Sequence, residues 1–104
     1  MSADEEREPI YRSSAEFHRE WLSRVFARQD PVWCPEWQEH SEAREVVEAL
    51  WSAWEEAQGD GGSGPARWFA YYGYPLMREL TDPAGTFSGC DLDRHAPKIQ
   101  PLPE

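Results

Sequence analysis

Large aromatic rings dominate the apolar content of this chain. It contains six tryptophans, four tyrosines and four phenylalanines among 104 residues, although only 39% of its residues are hydrophobic. A ring of this kind buries about 150–250 Å² when it packs in a core. A chain of this length buries roughly 60–70% of the surface that its unfolded form exposes, which suffices for one domain. The core must therefore be built from a few large rings.

The first periodic segment follows a helix start signal. Ser13, with Glu16 three residues later, fits a capping box. We predict a first helix from Ser14 to about Arg28, because the residue that precedes Pro31 disfavours the helical conformation. Its apolar side chains are Phe17, Trp21, Leu22, Val25 and Phe26.

The second periodic segment has the clearest pattern. It predicts a helix with Ser41 as its N-cap and an end near Ala57, before the flexible run GDGGSG. One stripe of this helix is apolar and consists of Ala43, Val46, Val47, Leu50, Trp51 and Trp54. The opposite face, expected to be solvated, consists of Glu45, Glu48, Ser52, Glu55 and Glu56.

A third helix is expected after the glycine-rich run. Pro65 suits its first position, and its short aromatic face consists of Trp68, Phe69 and Tyr72. Gly73 and Pro75 should interrupt it, so that a short fourth turn from Pro75 to Leu80 continues at an angle.

These elements predict an all-α fold: a small bundle of three main helices with a short fourth turn, an aromatic-rich core and extended termini. We expect a flexible acidic tail over residues 1–12, a single helical domain over 13–90 and a proline-rich extended tail over 91–104. The stripe of the second helix should pack against the first helix. The aromatic residues expected to form the structural cluster are Trp33, Trp37, Trp51, Trp54, Trp68 and Phe87.

The charge distribution restricts the class of partner. The formal net charge is −10, and residues 30–60 contain nine acidic residues against one basic residue, Arg44. Direct binding to nucleic acid is disfavoured without a basic patch. No apolar run approaches the ~20 residues of a membrane span, and the acidic start does not resemble a secretory signal. We expect a cytoplasmic protein with a protein partner, whose acidic second helix could alternatively mimic DNA.

Four residues have the chemistry of a metal site: Cys34, His40, Cys90 and His95. Zinc takes thiolate and imidazole ligands in a tetrahedron, but neither Cys–His spacing is that of a zinc knuckle. Two alternatives remain open, namely that the cysteines are small buried side chains without a metal, or that Cys34 and Cys90 form a disulfide. Because WCPEWQEH leads into the second helix and TFSGC must fold back to bury Phe87, we expect Cys34, His40 and Cys90 to meet near the start of that helix.

Catalytic motifs are missing from the chain. GDGGSG lacks the Lys-Ser/Thr ending of a phosphate loop and is not a nucleophile elbow. A cysteine among many carboxylates does not readily form a thiolate. The sequence therefore predicts a protein that is not an enzyme and that needs no cofactor other than a possible zinc ion.

Several motifs together resemble a known family. WCPEWQEHSEA (Trp33 to Ala43), RWFAYYGYPLMREL (Arg67 to Leu80) and GTFSGC (Gly85 to Cys90) resemble a small actinobacterial domain family of unknown function, found also in phages and plasmids. The single lysine and the lack of asparagine agree with a GC-rich genome. The resemblance implies a histidine where Tyr72 stands, so that this chain has lost that histidine or replaces it with His95. It also implies an accessory or interaction role without a defined activity.

Overall fold

Three helical segments and a short 3-10 helix, Trp37–Glu39, are joined by loops in the computed structural model, which describes residues 8–95 and 101–103. Within these residues the backbone forms no strand, only an isolated bridge between Asp91 and Arg94. The expected all-α class is therefore confirmed. No helix in this part of the chain is both long and apolar enough to cross a membrane.

The first helical segment, α1, covers residues 14–25. It consists of an α-helical turn (Ser14–Phe17), a π-helical segment (His18–Leu22) and a second α-helical turn (Ser23–Val25). Ser13 Oγ accepts a hydrogen bond from the Glu16 N–H at 3.1 Å, as the sequence predicts. The predicted end at Arg28 is wrong, because Phe26 already leaves helical geometry with φ −99° and ψ 26°.

The second helical segment, α2, is one regular helix, Ser41–Gln58. Its N-cap is His40, which has the extended conformation, so that the predicted N-cap, Ser41, is instead the first helical residue. The buried apolar side chains of α2 lie at helical spacing and are Ala43, Val47, Leu50, Trp54 and Ala57. Val46 and Trp51 are only partly buried at the edges of this stripe.

The third helical segment, α3, covers residues 64–80 and passes through Gly73 and Pro75 without a break. It consists of Gly64–Trp68, a π-helical segment (Phe69–Gly73) and Tyr74–Leu80. The predicted fourth turn, Pro75 to Leu80, corresponds to Tyr74–Leu80, but a π-helical segment and not a non-helical break precedes it. Pro75 lies in the first turn of Tyr74–Leu80, where a proline is tolerated.

The two π-helical segments also explain two errors in the predicted core. A π-helical turn contains more residues than an α-helical turn, so the side chains within and after it are shifted from a face drawn with a period of 3.6. Val25 is 44% exposed and Tyr72 is 48% exposed, although both were expected to pack inside. Gly73 takes the place next to Trp68, since a Cβ there would lie 2.5 Å from the Trp68 ring.

The core lies where α1, α2 and α3 meet around Trp68. Trp68 is 1% exposed, and its Nε1–H donates a hydrogen bond to the Leu50 carbonyl of α2 at 3.0 Å. Trp21 of α1 contacts both Trp68 and Trp54, with ring centroids 5.4 and 5.2 Å apart. Met77 and Leu80 of α3 complete this side in place of Tyr72. Of the aromatic residues that the sequence assigned to a structural cluster, Trp33 and Trp51 are half-buried and the others are buried.

Glu55 does not belong to the solvated face where the sequence placed it. Its side chain is buried, and its carboxylate accepts hydrogen bonds from the N–H groups of Ile10 and Tyr11 at 2.8 and 2.9 Å. The Trp51 Nε1–H donates a third at 3.1 Å. A buried carboxylate is stable only with such donors, and the backbone before α1 supplies them.

Residues on both sides of the predicted 13–90 domain contact the helices. The Tyr11 ring packs against Trp54 at 5.4 Å and against Phe17 at 5.9 Å. On the other side, His95 lies against His40, with ring centroids 4.9 Å apart. The rest of the two predicted tails, residues 1–7, 96–100 and 104, lies outside the described residues.

Candidate metal centre

The four candidate ligands come from three separate parts of the chain. Cys34 lies in the loop between α1 and α2, and His40 is the N-cap of α2. Cys90 and His95 follow α3. The structure brings all four together, with every pair of donor atoms within 4.8 Å.

Backbone turns after α3 return the chain to the start of α2. Gly89 has φ +86°, a left-handed conformation that glycine adopts without strain. Asp91 and Arg94 then exchange backbone hydrogen bonds at 2.9 and 3.3 Å, and the Arg94 guanidinium donates a side-chain hydrogen bond to the Gly89 carbonyl at 2.8 Å. This tight turn brings His95 close to Cys90.

The distances between donor atoms are those of a small coordination shell. His40 Nε2 lies 3.3 Å from His95 Nδ1 and 3.6 Å from Cys90 Sγ. Cys34 Sγ lies 3.2 Å from the same His95 Nδ1. A regular tetrahedron around zinc separates two nitrogens by about 3.3 Å, and a nitrogen from a sulfur by about 3.6 Å. The two His40 distances match these values, whereas the Cys34 Sγ–His95 Nδ1 distance is shorter than the tetrahedral one. Two thiols and two imidazoles are nevertheless the donor types that zinc takes in a four-coordinate site.

The environment of the cluster favours the neutral form of its groups. Burial raises the pKa of the Cys34 thiol, an effect that the neighbouring Cys90 reinforces and a hydrogen bond from the Glu36 backbone opposes. Burial also lowers the pKa of His40, and His95 lowers it further. A neutral imidazole is the form that binds a metal, whereas the thiols must lose their protons to do so.

The other ring nitrogen of His40 is held by the backbone. The His40 side chain forms a hydrogen bond with the backbone of Thr86, a buried residue. Because Nε2 faces the cluster, Nδ1 is the nitrogen that can donate to the Thr86 carbonyl. A partner of this kind fixes the tautomer and the ring orientation of a metal-binding histidine.

Aromatic rings shield one side of the cluster. Phe87 is 1% exposed and makes an edge contact with His40 at 5.2 Å. Trp33 packs on Phe87 at 4.6 Å, and His18 stacks on Trp33 at 5.1 Å. These rings limit the access of water to the donor atoms.

Cys34 and Cys90 are free thiols in the structure and do not form the disulfide considered as an alternative. Tyr72, which stands where the family resemblance implied a histidine, is exposed on α3 and does not belong to the four-residue cluster. His95 completes the cluster instead. Sequence reasoning missed the hydrogen-bonding role of the Thr86 backbone, since a backbone carbonyl leaves no signal in a residue pattern.

The family assignment includes all four of these residues. Residues 11–104 match the family described as Domain of unknown function (DUF4913), and the chain belongs to this family. The expected membership in a domain family of unknown function is thus confirmed. Neither a curated protein nor a solved structure matches the chain.

Proposed function

We propose that Cys34, His40, Cys90 and His95 hold one structural Zn²⁺ ion, which makes this chain a zinc-stabilised helical domain. The observation that supports this proposal is the convergence of two sulfur and two nitrogen donors within 4.8 Å of one another. Zinc suits a mixed thiolate and imidazole set of this geometry. When bound, the ion neutralises the two thiolates and cross-links the segments that carry the ligands.

The donor set favours a structural ion over a catalytic one. Catalytic zinc keeps a position open for water or substrate and uses three protein ligands, whereas structural zinc is closed by four. Here four side chains supply four donors, and Cys34 and His40 are 0% and 2% exposed. We therefore keep the hypothesis that the protein is not an enzyme.

The ion would stabilise the part of the fold that has no regular secondary structure. Residues 81–95 contain no helix, and the aromatic core lies mainly between the three helical segments. Small domains with a limited core often use a metal in place of further apolar burial. The ion would join the start of α2 to both the preceding loop and the segment after α3.

In the cell, we propose that the domain acts as an adaptor or accessory protein that binds another protein, in an actinobacterium or in one of its phages or plasmids. Its acidic composition and the lack of catalytic motifs support this role. Affinity capture with the metal-loaded domain should recover one selective partner. Recovery of the same proteins by an unrelated acidic domain of similar net charge would contradict the adaptor role.

Metal content tests the zinc site directly. Protein purified under reducing conditions without a histidine tag should contain about one zinc per chain by mass spectrometry. Cobalt substitution should give the visible bands of a tetrahedral site and a near-ultraviolet thiolate band. Cys34→Ser and His95→Gln should lose the ion, whereas His18→Gln is the matched control because His18 is the remaining histidine and lies outside the cluster.

Two results would contradict the zinc proposal. One is wild-type protein that binds no zinc when offered the ion at neutral pH. The other is a Cys34→Ser variant that binds zinc as tightly as the wild type.

A further inference from the structure

A groove of about 600 Å³ lies on the face formed by the end of α1, the loop after it and the last turns of α3. Its volume falls within the ~300–1,000 Å³ of small-ligand sites. None of the four candidate metal ligands lines it. The groove is therefore a second feature of the molecule, separate from the metal centre.

Apolar side chains make up most of the groove wall, and they come from all three parts of the chain. They are Leu22, Phe26, Val32, Trp33, Met77 and Leu92. Leu92 is 55% exposed. Such a wall favours a ligand with an apolar body.

The charged groups of the groove are unusual for this acidic molecule. Arg28 and Arg78 line it together with a single carboxylate, that of Asp30, whereas the formal net charge of the chain is −10. Neither arginine forms an ion pair within the described residues. The Arg28 guanidinium lies 5.9 Å from the centroid of the Phe26 ring and donates to the Ala27 carbonyl at 3.0 Å. A cationic group thus lies beside the apolar wall.

One buried hydrogen-bond donor of a groove-lining residue has no partner in the described part of the chain. The hydroxyls of Ser23 and Thr81 already donate to the backbone carbonyls of Arg19 and Met77, at 3.1 and 2.8 Å. The Trp33 Nε1–H is buried and has no acceptor within the described residues. A ligand that supplies acceptor atoms would complement the Trp33 N–H and the two guanidinium groups, whereas a cationic ligand would not.

We propose that this groove binds a small amphipathic carboxylate, with its apolar body against Phe26, Trp33 and Met77 and its carboxylate at Arg28 and Arg78. Two guanidinium groups next to an apolar wall provide both parts of this recognition. The single carboxylate of Asp30 disfavours ligands with several negative charges. The proposal does not depend on the zinc site.

Three probes with the same alkyl chain and different head groups separate the apolar contribution to binding from that of the carboxylate. They are decanoate, decan-1-ol and decylammonium, each below its micellar concentration. Binding is measured by titration calorimetry and by the change in tryptophan fluorescence. Decanoate should bind most tightly, the alcohol more weakly and the cation most weakly.

Paired variants test the arginines. The double variant Arg28→Gln/Arg78→Gln should weaken decanoate binding about tenfold or more, because charge-assisted hydrogen bonds are lost. Arg24→Gln is the matched control, since Arg24 is an exposed arginine of α1 that does not line the groove. It should leave the affinity unchanged.

A steric variant tests the location without removing a charge. Ala27 is exposed and lines the groove, so that Ala27→Trp should obstruct the part of it next to Arg28 while the helices keep their far-ultraviolet circular dichroism. This variant should abolish binding of decanoate and decan-1-ol alike. Decanoate binding that survives either the double arginine variant or Ala27→Trp, or decylammonium that binds as tightly as decanoate, would overturn the proposal.

Discussion

His40 Nε2 and His95 Nδ1 lie 3.3 Å apart although 55 positions separate the two residues in sequence. The contact joins the first turn of α2 to the segment that follows α3. Two imidazoles and two thiols at this separation form either a hydrogen-bonded cluster or a metal shell. A chelator should destabilise the protein if the four groups bind a metal, and should have no effect if they form only hydrogen bonds.

Chelation should lower the thermal stability of the wild-type protein, because the proposed ion links three segments of the fold. We expect the free energy of unfolding to fall by roughly 3 kcal/mol or more, at the upper end of the range for single changes. Thermal denaturation with and without EDTA measures the effect. The Cys34→Ser variant should already have the lower stability and should not respond to EDTA; an equal response of both proteins would contradict the prediction.

Glu55 should be essential for the anchoring of the residues before α1. Replacement by Gln removes the charge that Ile10, Tyr11 and Trp51 donate to. We expect a loss of roughly 2–3 kcal/mol in urea denaturation, since hydrogen bonds to charged groups are the stronger ones. Glu56→Gln is the matched control on the exposed neighbour and should change stability by less than about 0.5 kcal/mol.

The contrast between Glu55 and the rest of α2 shows how far the sequence is informative. A long apolar stripe predicts a helix and its buried face because both follow from local periodicity. The role of Glu55 depends on the backbone of Ile10, which lies 45 positions away, and periodicity carries no information about such a contact. The same reasoning explains why Val25 and Tyr72 were misplaced, since a π-helical turn shifts the face of a helix without a marker at either residue.

Some of the four candidate metal ligands could be placed together from the sequence, and others could not. Cys34 and His40 lie in one short motif that leads into α2, so their proximity follows from the sequence. The residue types of Cys90 and His95 also indicated metal chemistry. The return of Cys90 to α2 follows from the need to bury Phe87, which the sequence predicted. The position of His95 requires the turn at Asp91 and Arg94, and the residue pattern does not define that turn.

His18 should make stability depend on pH in the acidic range. Burial holds the pKa of His18 below its ordinary value of 6.5. Below that pH the unfolded chain binds a proton at this residue before the folded chain does, so the free energy of unfolding falls as the pH falls toward the folded-state pKa. Above 6.5 the residue is neutral in both states and contributes no pH dependence.

His18→Phe keeps a ring against Trp33 and Trp37 but removes this titration. We expect the variant to lose less stability than the wild type between about pH 7.5 and pH 5. Denaturation curves at both pH values give the difference, and His40 is present in both proteins, so its contribution cancels. Parallel pH profiles would show that His18 is not responsible.

Gly73 should not tolerate a side chain. A Cβ at this position would meet the Trp68 ring at 2.5 Å, and the ring is fixed by its hydrogen bond to Leu50. We expect Gly73→Ala to cost about 1–3 kcal/mol, as overpacking of a core does. Gly62→Ala is the matched control because a Cβ there meets nothing within 4 Å. It should be neutral or slightly stabilising, and a similar loss in both variants would contradict the packing argument.

Metal removal should also weaken ligand binding in the groove, if both proposals hold. Trp33 directly precedes Cys34, and Leu92 lies between Cys90 and His95, so the candidate ligands fix the positions of two groove-lining side chains. Chelation should therefore reduce the affinity for decanoate by about three- to tenfold while α1 and α2 remain helical. Calorimetry with and without EDTA measures the change, and circular dichroism reports the helices. By linkage, decanoate should raise the apparent affinity for zinc by the same factor, and a zinc affinity that decanoate leaves unchanged would show that the two sites are independent.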